Sequence, residues 1–497
     1  MVIMRNIGIV ITRVISIFLI VITVVIVVVQ LISYSRIRAS LPIGSVIAGV
    51  PVGGLDRQTA ADRLIKAFSL AVEIRYNEAI IHIRPSAIGF ELDLESMLTA
   101  ADQQRITQPF WSGYWDFLWG RFPNPDPIPL RYSLSDERLK SYLREEIAIR
   151  YDQPATDAIP IPGSTQFKPG NPGTKLDVDR AAILIEDALK SPTRRIVNLT
   201  YSQIDPSRPS FLNLEVLLKQ VLDSTGFDGL TEVYLLDLKN YQEINFAYQQ
   251  GQTIRPGIAF TAASTMKIPI MVSVFNRGKD PISTEILNQM ELMIERSEND
   301  PADRLMESAL GGNLGPLLVT EDLELLGFEN TFLAGYFYPG APLLRRIQTP
   351  ANSRNDIDTN PDIYNQTTSS EMGMLLGDIY QCANQDGGAL KAVFGNQITQ
   401  DECQSMIDYL LRNRIGVLIQ AGVPEATQVA HKHGWITESD GLIHAISDAG
   451  IVYTTGGNYV LVVFMYHPVQ LIFDNANYVM AQISSAIYNY YNIPFEE

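Results

Sequence analysis

Positive charge is what this chain has little of: 38 Lys and Arg stand against 55 Asp and Glu, a formal net charge of −17 over 497 residues. A nucleic-acid partner requires a basic face to meet phosphate, so that class is excluded. Cysteine is scarcer still. Cys382 and Cys403 alone cannot build a metal site, and no ligand spacing surrounds them. They leave two readings open, a disulfide across the turn Asp386-Gly387-Gly388 or a pair of buried thiols. Among the 5 histidines, His431 and His433 are neighbours on one segment, but no third ligand accompanies them. Neither a metal nor another cofactor is expected. Low-complexity tracts are also missing, and 46% hydrophobic with 19% charged residues is a globular balance. A chain this long exceeds one compact core and predicts at least two domains.

What the chain does have, at its start, is an uncharged run. Val14 to Tyr34 is rich in Val and Ile and, as a helix, is long enough to cross the hydrocarbon core of a bilayer. The run is longer than the apolar part of a signal peptide, and no A-x-A cleavage pattern follows it. Residues 1–40 therefore read as a short tip and an uncleaved transmembrane anchor. Arg5 and Arg13 before the run and Arg36 and Arg38 after it leave its orientation to be set by the chemistry of the remainder.

Residues 41–206 read as α+β in two related halves. Each carries a Gly, then Leu-Asp, then a helical apolar pattern: Gly89-Phe90-Glu91-Leu92-Asp93 and Gly173-Thr174-Lys175-Leu176-Asp177. The Asp is an N-cap in both. Between the halves Trp111, Trp115 and Trp119 recur at helical spacing. Such a stripe is either a buried face joining the halves, or a surface for glycan stacking or a membrane interface. Pro123 to Pro129 reads as a stiff connector and Ile204 to Pro209 as the domain boundary. The segment resembles the peptidoglycan-binding module found near the membrane in many bacterial wall proteins, which implies peptidoglycan as a partner.

From residue 210 to 497 the pattern predicts a helix over Asn213–Ser224 and strands over Glu232–Leu238 and Glu243–Tyr248. A mostly helical middle, Ser283 to Val423, separates these from strands over Val429–Thr437, Ala445–Tyr453 and Tyr459–Tyr466 and a closing helix over Asn475–Tyr491. One antiparallel sheet covered by helices on both faces accounts for that order. At the start of an apolar helical segment, Ser264 and Lys267 stand three residues apart, so the amine can reach the hydroxyl. A serine needs a neighbouring base to become a nucleophile, and burial favours the neutral form of lysine that can serve. Pro269 predicts a short or kinked first turn.

Three boxes in this stretch give it a resemblance to the class A β-lactamases and related penicillin-binding proteins. Ser264-Thr265-Met266-Lys267 matches S-x-x-K. Ser297-Glu298-Asn299 matches S-D-N with Glu for Asp, and Lys432-His433-Gly434 matches K-T-G with His for Thr. The resemblance implies an α+β multidomain chain ending in a β-lactamase/transpeptidase-like sheet sandwiched by helices. It implies a serine acyl-hydrolase at a bacterial membrane, with its bulk extracytoplasmic, acting on a β-lactam or a D-alanyl peptide of the wall. In that scheme Ser264 attacks, Lys267 is the base, and Ser297 relays a proton to the leaving nitrogen. Asn299, Lys432, His433, Gly434 and Trp435 bind substrate, with Ser264 and Trp435 giving the oxyanion its N–H groups. The family's deacylating Glu has no counterpart in the loop RIQTPANSRNDIDTNPDIYNQTT. Asn352 lies near its place by counting, and Asp356, Asp358 and Asp362 are the carboxylates at hand. Acylation without fast release is the expectation; the alternative is a non-catalytic or very slow peptidoglycan-binding protein of the envelope.

Overall fold

The computed structural model describes residues 2–122, 124–278 and 282–494, with side chains from residue 10 onward. Pro123, which opens the expected connector, lies outside the described residues. The chain divides into two compact units, residues 1–155 with 172–205, and residues 156–171 with 206–497.

The first unit begins with α1 (Val2–Ala39), of which Val10–Ala39 is long and apolar enough to cross a membrane. It continues through α2 (Arg57–Phe68), β1 (Val72–Tyr76), β2 (Ala79–Ile83), α3 (Leu94–Thr107), α4 (Phe110–Leu118), α5 (Val178–Leu189) and β3 (Ile196–Asn198). The strands form one sheet in the order β3-β1-β2, with β3 parallel to β1. Asp93 accepts from the Ser96 N–H at 3.1 Å and Asp177 from the Arg180 N–H at 3.0 Å, so both expected N-caps form. In each half a short strand runs into its cap and helix, Phe90–Leu92 into α3 and Gly173–Leu176 into α5. Leu64, Phe68, Ile74, Leu98, Ile185 and Leu189 meet in the core between sheet and helices.

On α4 the buried-face reading of the tryptophan stripe is corrected. Trp111, Trp115 and Trp119 are 70%, 61% and 65% exposed. The helix buries its opposite face instead: the Tyr34 ring of α1 lies 5.3 to 5.5 Å from those of Phe110, Tyr114 and Phe117.

The second unit runs α6 (Phe211–Thr225), β4 (Leu230–Asp237), β5 (Glu243–Gln249), β6 (Gln252–Ile254), α7 (Lys267–Arg277), α8 (Asn299–Leu305), β7 (Asn365–Thr367), α9 (Ser369–Gln385), α10 (Gln400–Leu411), β8 (Val429–Thr437), β9 (Ile443–Val452), β10 (Tyr459–Tyr466) and α11 (Phe473–Tyr491). Six strands make an antiparallel sheet in the order β6-β5-β4-β10-β9-β8. Central β10 reads Tyr-Val-Leu-Val-Val-Phe-Met-Tyr without a polar alternation because both of its faces are covered. Leu461, Val463 and Met465 pack on α6 and α11, against Leu217, Leu218, Met480 and Ile483. Val460, Val462 and Phe464 pack the other way, against Met266, Ile270, Leu375 and Leu376. Each such side chain stabilises the fold by about 1.5–3 kcal/mol on burial. Cys382 on α9 and Cys403 on α10 form a disulfide, which resolves the two readings of the cysteines.

Candidate active site

The site is built where β8, at the sheet edge, meets the turn that enters α7. Phe260 and Thr261 pair with β7, then the backbone swings through Ala263 at φ 47 into a tight turn, Ala263–Met266, that continues as α7. That tight turn accommodates Pro269, whose missing N–H falls where a helix start has no partner to lose. A non-glycine residue in the left-handed region costs of order 1–3 kcal/mol, and here the surroundings hold it. The Ala263 N–H donates to Asn365 Oδ1 at 2.7 Å, and Thr265 Oγ1 donates to the Ala262 carbonyl at 2.6 Å. Ser264 follows directly and stands at the floor of a cleft of about 270 Å³.

Lys267, one turn on, is fully buried. Its Nζ lies 2.8 Å from Ser264 Oγ, 2.7 Å from the Ser297 carbonyl and 2.8 Å from Asn299 Oδ1. Burial pulls its pKa from 10.5 down to about 7, against the opposing charges of Asp303 and Glu298. A neutral amine has two N–H groups and one lone pair. The Ser297 carbonyl and Asn299 Oδ1 only accept, so they take the two N–H groups and leave the lone pair to the Ser264 hydroxyl.

Ser297 precedes α8 and sits at φ 61, also left-handed. Its Oγ accepts from Lys432 Nζ at 2.8 Å, which leaves the Ser297 proton free to be donated to another acceptor. Lys432 is buried, and burial together with the nearby Lys267 drives its pKa well down while Asp448 opposes them. Gly434 faces the nucleophile turn: a Cβ there would lie 2.8 Å from the Ala262 carbonyl and 3.2 Å from the Ser264 N. Only a hydrogen lets β8 approach so closely. Trp435, its indole packed against Phe473 of α11 at 5.0 Å, borders the cleft.

His433 does not line it. With His431 and Trp435 it occupies the other parity of the strand, stacked on the Trp435 indole at 4.5 Å, with Nδ1 3.3 Å from Asn413 Nδ2. Burial and the two lysines hold it at about 2, neutral. His431 pairs with buried Asp448 at 2.9 Å. Among the described residues no group of three or more His, Cys, Asp or Glu is placed to hold a metal ion.

The loop carboxylates separate clearly. Asn352, Asp356 and Asp358 line a different hollow, on the outer side of the loop. Asp356 is bound to Arg354, which lowers its pKa to about 2. Asp362 alone of the three lines the Ser264 cleft. It accepts from Tyr364 N–H at 2.9 Å and from Asn365 Nδ2 at 2.8 Å, and burial raises its pKa. One amide, Asn365, thus ties the cleft carboxylate to the strained Ala263. Sequence reading missed Asn365, and with it Phe337, whose ring lies 5.5 Å from Lys267 Nζ, and Asp303, which accepts from the Phe337 N–H. Only the position of Asp303 one turn after Asn299 hinted at its side of α8.

Residues 277–491 match the family model described as "Beta-lactamase enzyme family". The match takes in Ser297, Asn299 and Lys432 and begins after Ser264 and Lys267, which geometry alone joins to them. Within the second unit, residues 277–491 are thus similar to the β-lactamase enzyme family. Among solved structures, one of PBP-A is 20% identical, over 58% of this chain and 99% of its own, with a TM-score of 0.41. A PBP-A mutant in acyl-enzyme complex with penicillin G is 20% identical over 58% and 100%, with a TM-score of 0.40. An ancestral (GNCA) class A β-lactamase is 21% identical over 55% and 98%, with a TM-score of 0.39. Among curated proteins nothing matches.

Proposed function

We propose that this chain is a membrane-anchored, extracytoplasmic serine hydrolase acylated at Ser264 by a β-lactam or by a D-alanyl peptide of the bacterial wall. The observation that carries the reading is Lys267, buried, near neutral, and 2.8 Å from the Ser264 hydroxyl. Lys267 takes the Ser264 proton as Oγ attacks the carbonyl carbon. The N–H groups of Ser264 and Trp435 receive the oxyanion. Ser297, held by Lys432, passes its proton to the leaving nitrogen and is reprotonated from Lys267 through the contact at 3.5 Å. A substrate carboxylate meets Lys432, whose charge it favours in turn.

Release of the acyl group needs a base for water, and Asp362 is the carboxylate in position. Burial raises its pKa, which makes its carboxylate a stronger base than that of an ordinary aspartate. It hangs on a side chain one methylene shorter than Glu, so turnover is slow. Residues 1–40, with α1 at the membrane, anchor the enzyme, and residues 41–206 bind peptidoglycan, a role supported by the paired Gly…Leu-Asp patterns. A reporter penicillin tests the reading against a non-catalytic wall-binding protein. Covalent labelling of the full chain supports the enzyme; sedimentation with isolated wall and no labelling would reject it.

A further inference from the structure

We infer that α4 is an interfacial membrane helix, with Trp111, Trp115 and Trp119 seated in the outer headgroup region of the bilayer that α1 crosses. This rests on the proposed span of α1. Tyr114 on α4 donates its hydroxyl to the Val27 carbonyl of α1 at 3.0 Å. Val27 lies inside the uncharged run, seven residues before Tyr34, which is about 10 Å deeper at helical rise. Wherever α1 enters lipid, α4 lies beside that entry point. Its outer face then meets the interface and not bulk water.

That face suits the place. The three indoles are joined by exposed Leu118 and Phe122 and by no basic or acidic side chain on the stripe itself. Indole is the side chain most at home at the headgroup level, apolar in body with one N–H for the carbonyls and phosphates. Several polar groups on and beside the helix are already paired, which suits partial burial in lipid. Asp116 accepts from Gln108 Nε2 at 2.8 Å, Ser112 Oγ donates to the Pro109 carbonyl at 3.0 Å, and the N–H groups of Trp119, Gly120 and Arg121 return to the last turn. Basic groups gather at the height of the headgroup phosphates. Arg38, Arg105 and Arg121 line a cavity of about 470 Å³ between α1, α3 and α4. Arg38 donates to the Gln108 carbonyl and Arg105 to that of Ala39, so their guanidinium groups are fixed there. Arg105 also pairs with Asp102 at 3.2 Å, so in a chain of net charge −17 Arg38 and Arg121 are the charges here that favour anionic lipid.

Of four tryptophans in the chain, three are in the stripe and the fourth is Trp435, which makes fluorescence selective. Full-length chain carrying Trp435→Phe is reconstituted in vesicles of phosphatidylcholine and phosphatidylglycerol, washed in alkaline carbonate and read by quenching. The unaltered chain in parallel bounds the contribution of Trp435. The inference expects loss of most of the emission with lipids brominated near the top of the acyl chain, and little loss with aqueous acrylamide. Chain retained by the vesicles but quenched only by acrylamide overturns the inference while α1 stands. Emission that responds only to added glycan chains overturns it in favour of a wall surface. Chain stripped off by carbonate overturns the α1 span and the inference together.

Discussion

Lowering the pH from 8 to 5 should switch off acylation of Ser264 by titrating Lys267. An ordinary lysine with a pKa of 10.5 has about 0.03% of its amine neutral at pH 7. Burial brings Lys267 to about 7, where half is neutral, a gain of about a thousandfold in competent base. The second-order acylation rate with a chromogenic penicillin, followed by stopped flow, should therefore be level above about pH 8. Below about pH 7 it should fall close to tenfold per unit, a loss of roughly fiftyfold between pH 7 and 5. Lys267→Arg, which keeps the charge but cannot accept a proton, should lose about 10²- to 10⁴-fold and the pH dependence with it. A rate that keeps climbing to pH 10, or one that is flat from pH 5 to 8, would refute the assignment of Lys267 as the base. The same shift affects stability. Between about 7 and 10.5 the unfolded chain binds a proton at Lys267 that the native chain does not, so this group makes the fold more stable as pH rises through that window.

Three other changes probe separate parts of the account. Asp362→Asn should retain penicillin labelling but stop release of the acyl group, while Asp356→Asn and Asp358→Asn, on the outer hollow, should turn over like the parent; steady-state hydrolysis set against burst amplitude distinguishes them. Gly434→Ala places a methyl against the Ala262 carbonyl and Ser447 Oγ. It should cost about 1–3 kcal/mol in urea unfolding and slow acylation, and unchanged acylation would place the nucleophile turn elsewhere. Replacing Cys382 and Cys403 together by Ser opens a link between positions 21 residues apart, at a cost of about 3 kcal/mol on the chain-entropy estimate. Denaturant midpoints of this variant that equal the parent's would show that the α9–α10 bridge does not constrain the unfolded chain.

The strands of the second unit were legible because their apolar runs are bounded by turns. The edges of β8 and β10 fall where the pattern puts them, at Val429–Thr437 and Tyr459–Tyr466. Asp93 and Asp177 were legible as caps for the same local reason. Strand parity alone separates Lys432 from His433, but which parity faces the cleft depends on which side of the sheet α7 packs, and that is a tertiary fact. For α4, Phe110, Tyr114 and Phe117 form an apolar row as continuous as the tryptophans, so spacing could not say which row turns inward. Short β6 and the left-handed Ala263 were not foreseen at all. A three-residue edge strand carries too little pattern, and the strain of Ala263 is imposed by Asn365, about a hundred residues away in the chain. That amide also holds Asp362, one of three aspartates that the sequence left equal.

Intact-mass measurement of the full chain after incubation with penicillin G tests the central claim most directly. The account predicts a single adduct of the mass of the whole antibiotic, located by peptide mapping on Ser264 and missing from Ser264→Ala. An adduct that persists in Ser264→Ala, or none in a folded parent chain, would contradict it.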